Sequence, residues 1–127
     1  MARNPETDLQ NEILLAIGSR PDTLAWRQTV GAFRAMDNPS RIVRVGVPGM
    51  SDVMSVVAVT VTPRMVGAVV PVAVAHEIKT ATGKQREAQK LWQKAFEERG
   101  GIYLISRSPE DSLRAITGVS EIIAARS

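Results

Sequence analysis

Two carboxylates and one lysine are the residues of this chain best suited to chemistry. Glu77 and Lys79 follow the apolar, β-favouring run 72–75, so they are expected near the end of a strand. Side chains two positions apart on a strand share a face, which places Glu77 beside Lys79 while Ile78 points into the core. Asp52 leads into a second β-rich run that could pair with the first. Two carboxylates offer the oxygen ligands that Mg²⁺ prefers, and a lysine can orient water or steady charge on a phosphate.

Several further stretches form an ordered set of motifs. They are Glu-x-x-apolar-Gln at residues 6–10, Arg-x-x-Val-Gly at 27–31, Gly-x-x-Gly-x-Ser-Asp at 46–52, Glu-x-Lys at 77–79 with Gly83 and Gln89 after it, and a closing strand and turn at 100–103 and 107–111. This set resembles the PD-(D/E)xK nucleases, and within them the virus-type replication-repair nuclease (VRR-NUC) domain. Ser51 stands before Asp52, where a proline is usual in that superfamily.

The resemblance implies a fold and a mechanism. The fold would be α/β, with a restriction-endonuclease-like αβββαβ core in which helices flank a mixed central sheet. The activity would be that of a hydrolase, a metal-dependent, structure-specific DNA endonuclease that leaves a 5′-phosphate. Lys79 would orient or activate the attacking water, and Gln89 would help to position it. The implied ligands of Mg²⁺ or Mn²⁺ are Asp52, Glu77, the backbone carbonyl of Ile78, and Glu6, directly or through water.

The resemblance also bears on the DNA that is cut. Small VRR-NUC proteins are similar to Holliday-junction resolvases of DNA repair, which implies a homodimer acting on branched DNA, because a two-fold junction needs two symmetric cuts. A flap or single-strand-directed nuclease is the alternative enzyme. A non-catalytic DNA-binding module with the same fold is the alternative from another class. The joint presence of Asp52, Glu77 and Lys79 favours an enzyme.

Composition limits the other possibilities. At 127 residues the chain is expected to be one domain, residues 1–127. It has no cysteine and a single histidine, which argues against disulfides and zinc and leaves carboxylates as metal ligands. The longest apolar stretch, residues 65–75, is short and contains Pro71. The polar N-terminus resembles no signal peptide. A cytoplasmic protein without a membrane partner is expected.

The positive charge is unevenly distributed. The net charge is only +3, but residues 79–107 hold seven Lys or Arg against three acidic residues. A solvated surface is one interpretation, and a site for a polyanion is the other. The acidic residues beside a basic rim favour the second. The predicted DNA-binding residues are Arg27, which could instead brace the acidic site, Lys84, Arg86, Lys90 and Lys94.

Periodicity and turn residues predict the order α, β, β, β, α, β, α. Asn4 can cap a first helix that ends near Gly18. His76 should face away from Glu77, and Trp92 should belong to the core rather than stack on a base. The later elements are predicted at residues 42–47, 53–61 and 69–79 (strands, the last two antiparallel), 84–99 (helix, with Leu91 and Phe96 on its apolar face), 102–106 (strand), and in helices from Ser108 and from about residue 120.

Overall fold

A computed structural model describes residues 4–127. The chain forms two compact units, of which one ends at Val57 and the other is Ala58–Ser127. Residues 4–127 contain four α-helices and three two-stranded sheets, so the predicted α/β class is confirmed at this level. The small sheets take the place of the single mixed sheet that was expected. None of the helices in this range combines the length and the apolar character needed to cross a membrane.

The first unit begins with helix α1, Pro5–Gly18, and the predicted cap is present. The Asn4 side chain accepts hydrogen bonds from the backbone N–H groups of Glu6 (3.1 Å) and Thr7 (3.4 Å), which have no partner within the helix. Proline at the first helical position has no N–H to satisfy, so the helix starts there at little cost.

Four short strands follow in this unit. Strand β1, Thr23–Arg27, pairs antiparallel with β4, Val53–Val57. Strand β2, Gly31–Arg34, pairs antiparallel with β3, Ile42–Val45. The predicted order contains no strand at residues 24–33, whereas this stretch contributes to both pairs.

A tight turn leads into β4. The Met50 N–H donates to the Val47 carbonyl at 3.0 Å, and Gly49 has φ of +86° at the third position of the turn. Pro48 and Gly49 suit these two central positions, because proline fixes a negative φ and glycine tolerates a positive one. The turn sets Asp52 immediately before the first residue of β4, where the sequence predicted it.

One ion pair lies between α1 and β1. The Asp22 carboxylate accepts two hydrogen bonds from the Arg20 guanidinium, at 3.0 and 2.9 Å, and one from the Thr23 hydroxyl at 2.8 Å. The bonds from Arg20, then the one from Thr23, lower the pKa of Asp22 to about 2.

The second unit is built on two parallel strands. Strand β5, Val74–Ile78, pairs with β6, Ile102–Ser106, in the register Ala75 to Tyr103. Parallel neighbours need a crossover, and helix α2, Glu87–Glu98, provides it. The most buried apolar residues of the second unit are Phe96 of α2 and Ile102 of β6, which are 3% and 5% exposed.

A glycine permits this packing. A Cβ on Gly101 would lie 2.4 Å from ring atoms of Phe96, closer than any side chain can approach. Only glycine therefore lets β6 start directly against the aromatic ring. The predicted helix end at the two glycines before Ile102 is confirmed, but Leu91, expected on the apolar face, is 70% exposed.

The predicted hairpin between residues 53–61 and 69–79 is wrong. Strand β4 pairs with β1, and β5 pairs with β6. The segment between β4 and β5 contains a short 3₁₀ helix, Pro63–Met65, and Pro71. Proline lacks the N–H that a sheet ladder requires, so neither half of this segment continues as a strand.

Helices α3, Pro109–Thr117, and α4, Val119–Ala125, complete the second unit. The predicted α3 cap is present, since the Ser108 hydroxyl accepts from the Asp111 N–H at 3.2 Å. The Asp111 carboxylate in turn accepts from the Arg107 N–H at 2.9 Å. The turn between β6 and α3 is thereby fixed from both sides.

Candidate active site

Glu77 and Lys79 form an ion pair at the end of β5. The distance from Glu77 Oε1 to Lys79 Nζ is 3.2 Å, and the side chains are only 24% and 13% exposed. Strand alternation brings them to one side, as residues i and i+2 of a strand. Two charges this far from solvent must be paired, because an isolated buried charge is very costly.

Gln89 links α2 to this pair. Its Nε2 donates to Glu77 Oε1 at 2.6 Å, while its own Oε1 accepts from the Arg86 backbone N–H at 2.8 Å. Because Arg86 N–H can only donate, the amide oxygen must face it and the amide NH₂ must face Glu77. Gln89 was predicted to position water; in this structure its donor is directed at the carboxylate.

Both contacts of Glu77 fall on the same carboxylate oxygen. Lys79 and Gln89 each approach Oε1. Glu77 Oε2 has no hydrogen-bond partner among residues 4–127, so it is available to a ligand. The carboxylate is held in one orientation by two donors and presents one oxygen.

Lys79 is supported by its own surroundings. Its backbone N–H donates to the Ser106 carbonyl at 3.1 Å, which extends the β5–β6 ladder by one bond. A Cβ on Gly83 would lie 3.5 Å from both Cβ and Cδ of Lys79, so the turn after β5 packs along the aliphatic stem. The Arg107 guanidinium donates to the Thr80 carbonyl and fixes the start of that turn.

His76 and Ile78 lie on the face of β5 opposite to Glu77, and the burial of one of them differs from the prediction. His76 faces away from Glu77, as predicted, and its Nδ1 lies 2.8 Å from the Ser112 hydroxyl on α3. The prediction that Ile78 points into the core is wrong, since its side chain is 70% exposed. It is the last residue of β5, and α3 packs mainly on β6.

An open cavity of about 410 Å³ lies beside the pair. It is bounded by α2 on one side and by the β5–β6 face that carries Glu77 on the other. Its lining includes Ala75, Glu77, Ala88, Gln89, Trp92 and Tyr103. Trp92 stacks on Phe96 at 4.7 Å between ring centroids but is 38% exposed, so it lines this cavity instead of lying in the core as predicted.

Three predicted site residues belong to the first unit. Asp52 is exposed just before β4, and its backbone carbonyl accepts from the Gln28 N–H at 2.8 Å. Glu6 is exposed in the first turn of α1. Arg27 Nη2 donates to Asn11 Oδ1 of α1 at 2.6 Å, so this guanidinium braces the helix. The structure thus brings together Glu77, Lys79 and Gln89, while Asp52, Glu6 and Arg27 lie in the other unit.

The oxygen atoms that could bind a metal at Glu77 are of the type a hard cation prefers, but they are few. Within residues 4–127, no three His, Asp or Glu side chains are grouped so that they could hold a metal by themselves. Mg²⁺ commonly uses only one or two carboxylates and keeps several waters or phosphate oxygens. Carboxylate oxygens such as Glu77 Oε2 are therefore the right kind of ligand.

The basic cluster divides into two groups. The side chains of Arg99 and Arg107 each donate to a backbone carbonyl, of Ala95 at 2.8 Å and of Thr80 respectively, so these charges serve the fold. The exposed members at and near the start of α2 remain available to a polyanion. They are Lys84, Arg86, Lys90, which lies 3.1 Å from Glu87 Oε1, and Lys94.

Tyr103 and Arg107 match the closing strand and turn of the family pattern, but the sequence predicted no role for either in the site. Tyr103 shares a face with Glu77 only because β5 and β6 are parallel in this register, which no pattern in the sequence reveals. Arg107 was counted as a surface charge. Comparison of the chain with protein-family models, with curated proteins and with solved structures gave no match.

Proposed function

We propose that this protein is a divalent-metal-dependent endodeoxyribonuclease of the PD-(D/E)xK type. The observation that carries the proposal is the arrangement of Glu77, Lys79 and Gln89 at the end of β5. It is a largely buried carboxylate with a lysine on one oxygen and the other oxygen unused. The VRR-NUC resemblance assigns these three residues to the catalytic centre.

The contacts of Glu77 support a working site over a purely structural ion pair. Glu77 Oε2 is reached by solvent, since it is not among the buried side-chain atoms of residues 4–127 that lack a partner, and a ligand can therefore reach it too. Here two donors converge on Oε1 and Oε2 is left for another partner. That favours the enzyme over the non-catalytic DNA-binding alternative.

Mg²⁺ or Mn²⁺ is the cation that these residues suit. Within the second unit, Glu77 and the Ile78 carbonyl would hold it; Asp52 and Glu6 are assigned to the metal by the VRR-NUC resemblance alone. When bound, such a cation activates water and neutralises charge on the phosphate.

The protein's own residues then have distinct tasks. Gln89 holds the Glu77 carboxylate, and Lys79 orients the attacking water. The water oxygen forms a bond to phosphorus and its proton passes to solvent. The bond from phosphorus to O3′ breaks, O3′ takes up a proton, and the products are a 5′-phosphate and a 3′-hydroxyl. A lysine that contacts charge developing on the phosphate acts mainly in the transition state.

The DNA would contact the exposed basic residues near the start of α2. Lys84, Arg86 and Lys94 are exposed, and Lys90 has only a surface ion pair with Glu87, which is worth little. Phosphates can replace such a partner easily. Binding through these charges would release counterions and would depend strongly on salt.

A homodimer acting on a four-way junction is the favoured form of this enzyme. The valine-rich stretch from Val53 to Val74 has Arg64 as its single charged residue, and Val66 and Val69 are 86% and 99% exposed. Apolar, uncharged surface is typical of interface centres. Light scattering at micromolar concentration should give twice 13.8 kDa, and a monomer would favour the flap-nuclease alternative.

One substrate panel tests the function. Four-way junction, flap, single-stranded and duplex DNA would be incubated with Mg²⁺, with Mn²⁺ and with excess EDTA. We expect cleavage that depends on the cation and is fastest on the junction. Fastest cleavage of the flap or single strand would select the alternative nuclease. Binding without cleavage of any substrate would select the DNA-binding module.

A further inference from the structure

A chain of side-chain hydrogen bonds runs from Glu97 and Gln93 of α2 to Gln85, which precedes the helix, and the donor and acceptor at each step can be assigned from the Glu97 end. Glu97 Oε1 accepts from Gln93 Nε2 at 2.6 Å. A carboxylate only accepts, so the Gln93 amide must turn its NH₂ to Glu97 and its oxygen the other way. That oxygen accepts from Gln85 Nε2 at 2.7 Å. The orientation of Gln85 is thereby fixed as well.

The chain of hydrogen bonds ends at the Tyr103 hydroxyl. Gln85 Nε2 also lies 3.1 Å from the Tyr103 hydroxyl, and as a donor it leaves the phenolic oxygen to accept. The Tyr103 O–H proton must then point to a different acceptor. Among residues 4–127 no acceptor for it is present, although polar groups that are partly buried usually have one. Tyr103 therefore has an unused donor.

Tyr103 also lines the cavity beside Glu77. Tyr103 stands opposite Ala75 in the parallel pair, two residue pairs before Glu77 and on the same face, and both Tyr103 and Glu77 line the 410 Å³ cavity. Alanine at positions 75 and 88 leaves the space open between the strands and α2. No lysine or arginine is in the lining, so the cavity itself offers a phosphate no cationic side chain.

These features fit a nucleoside better than a phosphate. The walls are mainly apolar and aromatic, and the polar residues of the lining are His76, Glu77, Gln89 and Tyr103. We infer that this cavity takes the sugar and base of the nucleotide that flanks the scissile phosphate, and that the Tyr103 hydroxyl donates a hydrogen bond to it. The inference rests on the proposed nuclease function for the identity of the ligand, and the phosphate itself would lie at the Glu77 end.

Binding of a dinucleotide tests this without cleavage. The probe is d(TpT), titrated in EDTA and again with Ca²⁺, and followed by NMR of the aromatic side chains and by calorimetry. We expect shifts of the Tyr103 signals on titration. Tyr103→Phe, which removes only the hydroxyl, should weaken binding about three- to tenfold, the usual worth of one neutral hydrogen bond. Unchanged affinity in this variant would overturn the inference.

A second variant closes the cavity. Ala88→Leu places a larger side chain at an exposed helical position of the lining and should weaken d(TpT) binding at least tenfold. Ala124→Leu is the same change at an exposed position on α4 and should bind like the unmodified protein. Equal binding by both leucine variants would also overturn the inference.

The two proposals can fail separately. If d(TpT) binds as expected but no DNA is cut, the nucleoside cavity stands and the nuclease proposal fails. If DNA is cut with unchanged KM by both Tyr103→Phe and Ala88→Leu, the nuclease proposal stands and the cavity is not the nucleoside site.

Discussion

Replacing Gln89 by methionine separates positioning of Glu77 from simple loss of stability. The variant keeps the length of the side chain but loses two hydrogen bonds, one from Arg86 N–H at 2.8 Å and one to Glu77 Oε1 at 2.6 Å. The first is a helix cap, worth about 1 kcal/mol. The second involves a charged acceptor, worth about 1.5–3 kcal/mol. We expect a loss of about 2–4 kcal/mol in the free energy of unfolding, a large part of the total for a chain of this size.

The assay combines urea unfolding with cleavage kinetics under single-turnover conditions. With the carboxylate no longer held by the amide, kcat should fall about tenfold or more while KM for DNA changes little. Ser108→Ala is the matched control, because it removes the cap of α3, with a cost of about 1 kcal/mol, and has no contact with Glu77. It should lose stability but retain kcat.

A second substitution at the same position sharpens the test. Gln89→Glu keeps an acceptor for the Arg86 N–H but places a carboxylate 2.6 Å from Glu77 Oε1, where the two charges repel. It should retain the cap and lose more activity than methionine does. Wild-type stability together with wild-type kcat in Gln89→Met would refute the positioning role.

Three other outcomes follow from the structure. Lys79→Ala should keep DNA affinity but lose kcat, since its role is in the transition state; a raised KM at unchanged kcat would make it a DNA-binding residue instead. The double reversal Lys90→Glu with Lys94→Glu should weaken binding of every substrate and flatten the salt dependence by roughly 0.9 per lost phosphate contact; an unchanged slope would mean that this surface is only solvated. Asp22 should titrate by NMR with a pKa of about 2. Its contribution to the free energy of unfolding should be present at pH values above the ordinary aspartate pKa and be lost as the pH falls through about 2. An ordinary pKa for Asp22 would contradict the contact with Arg20.

Local signals in the sequence placed most of the individual elements. The Asn4 and Ser108 caps, the glycines before Ile102 and the strand of residues 102–106 are all where residue preferences put them. Each depends on contacts within a few residues of the chain. The adjacency of Glu77 and Lys79 was accessible for the same reason, because alternation along one strand is enough to predict it.

The pairing of the strands could not be predicted from local residue preferences. The partners of β4 and β5 depend on contacts across more than twenty residues, and the apolar runs on either side of Pro63 and Pro71 read equally well as a hairpin. The exposure of Ile78 depends on which helix covers the strand end. Tyr103 joined the site through parallel register, and the orientation of Gln89 depended on a backbone N–H at Arg86 that no motif specifies.

The central claim is that the Glu77 carboxylate serves phosphodiester cleavage, and one comparison tests it most directly. Glu77→Gln and Glu87→Gln make the same change, the second at a side chain that is 86% exposed and forms a surface ion pair with Lys90. Cleavage of a four-way junction would be measured with Mg²⁺ and in excess EDTA, with circular dichroism to verify folding. The account predicts Mg²⁺-dependent cleavage that is lost in folded Glu77→Gln, as in Asp52→Asn, and retained in Glu87→Gln. Full activity of Glu77→Gln, or robust cutting in EDTA, would contradict it.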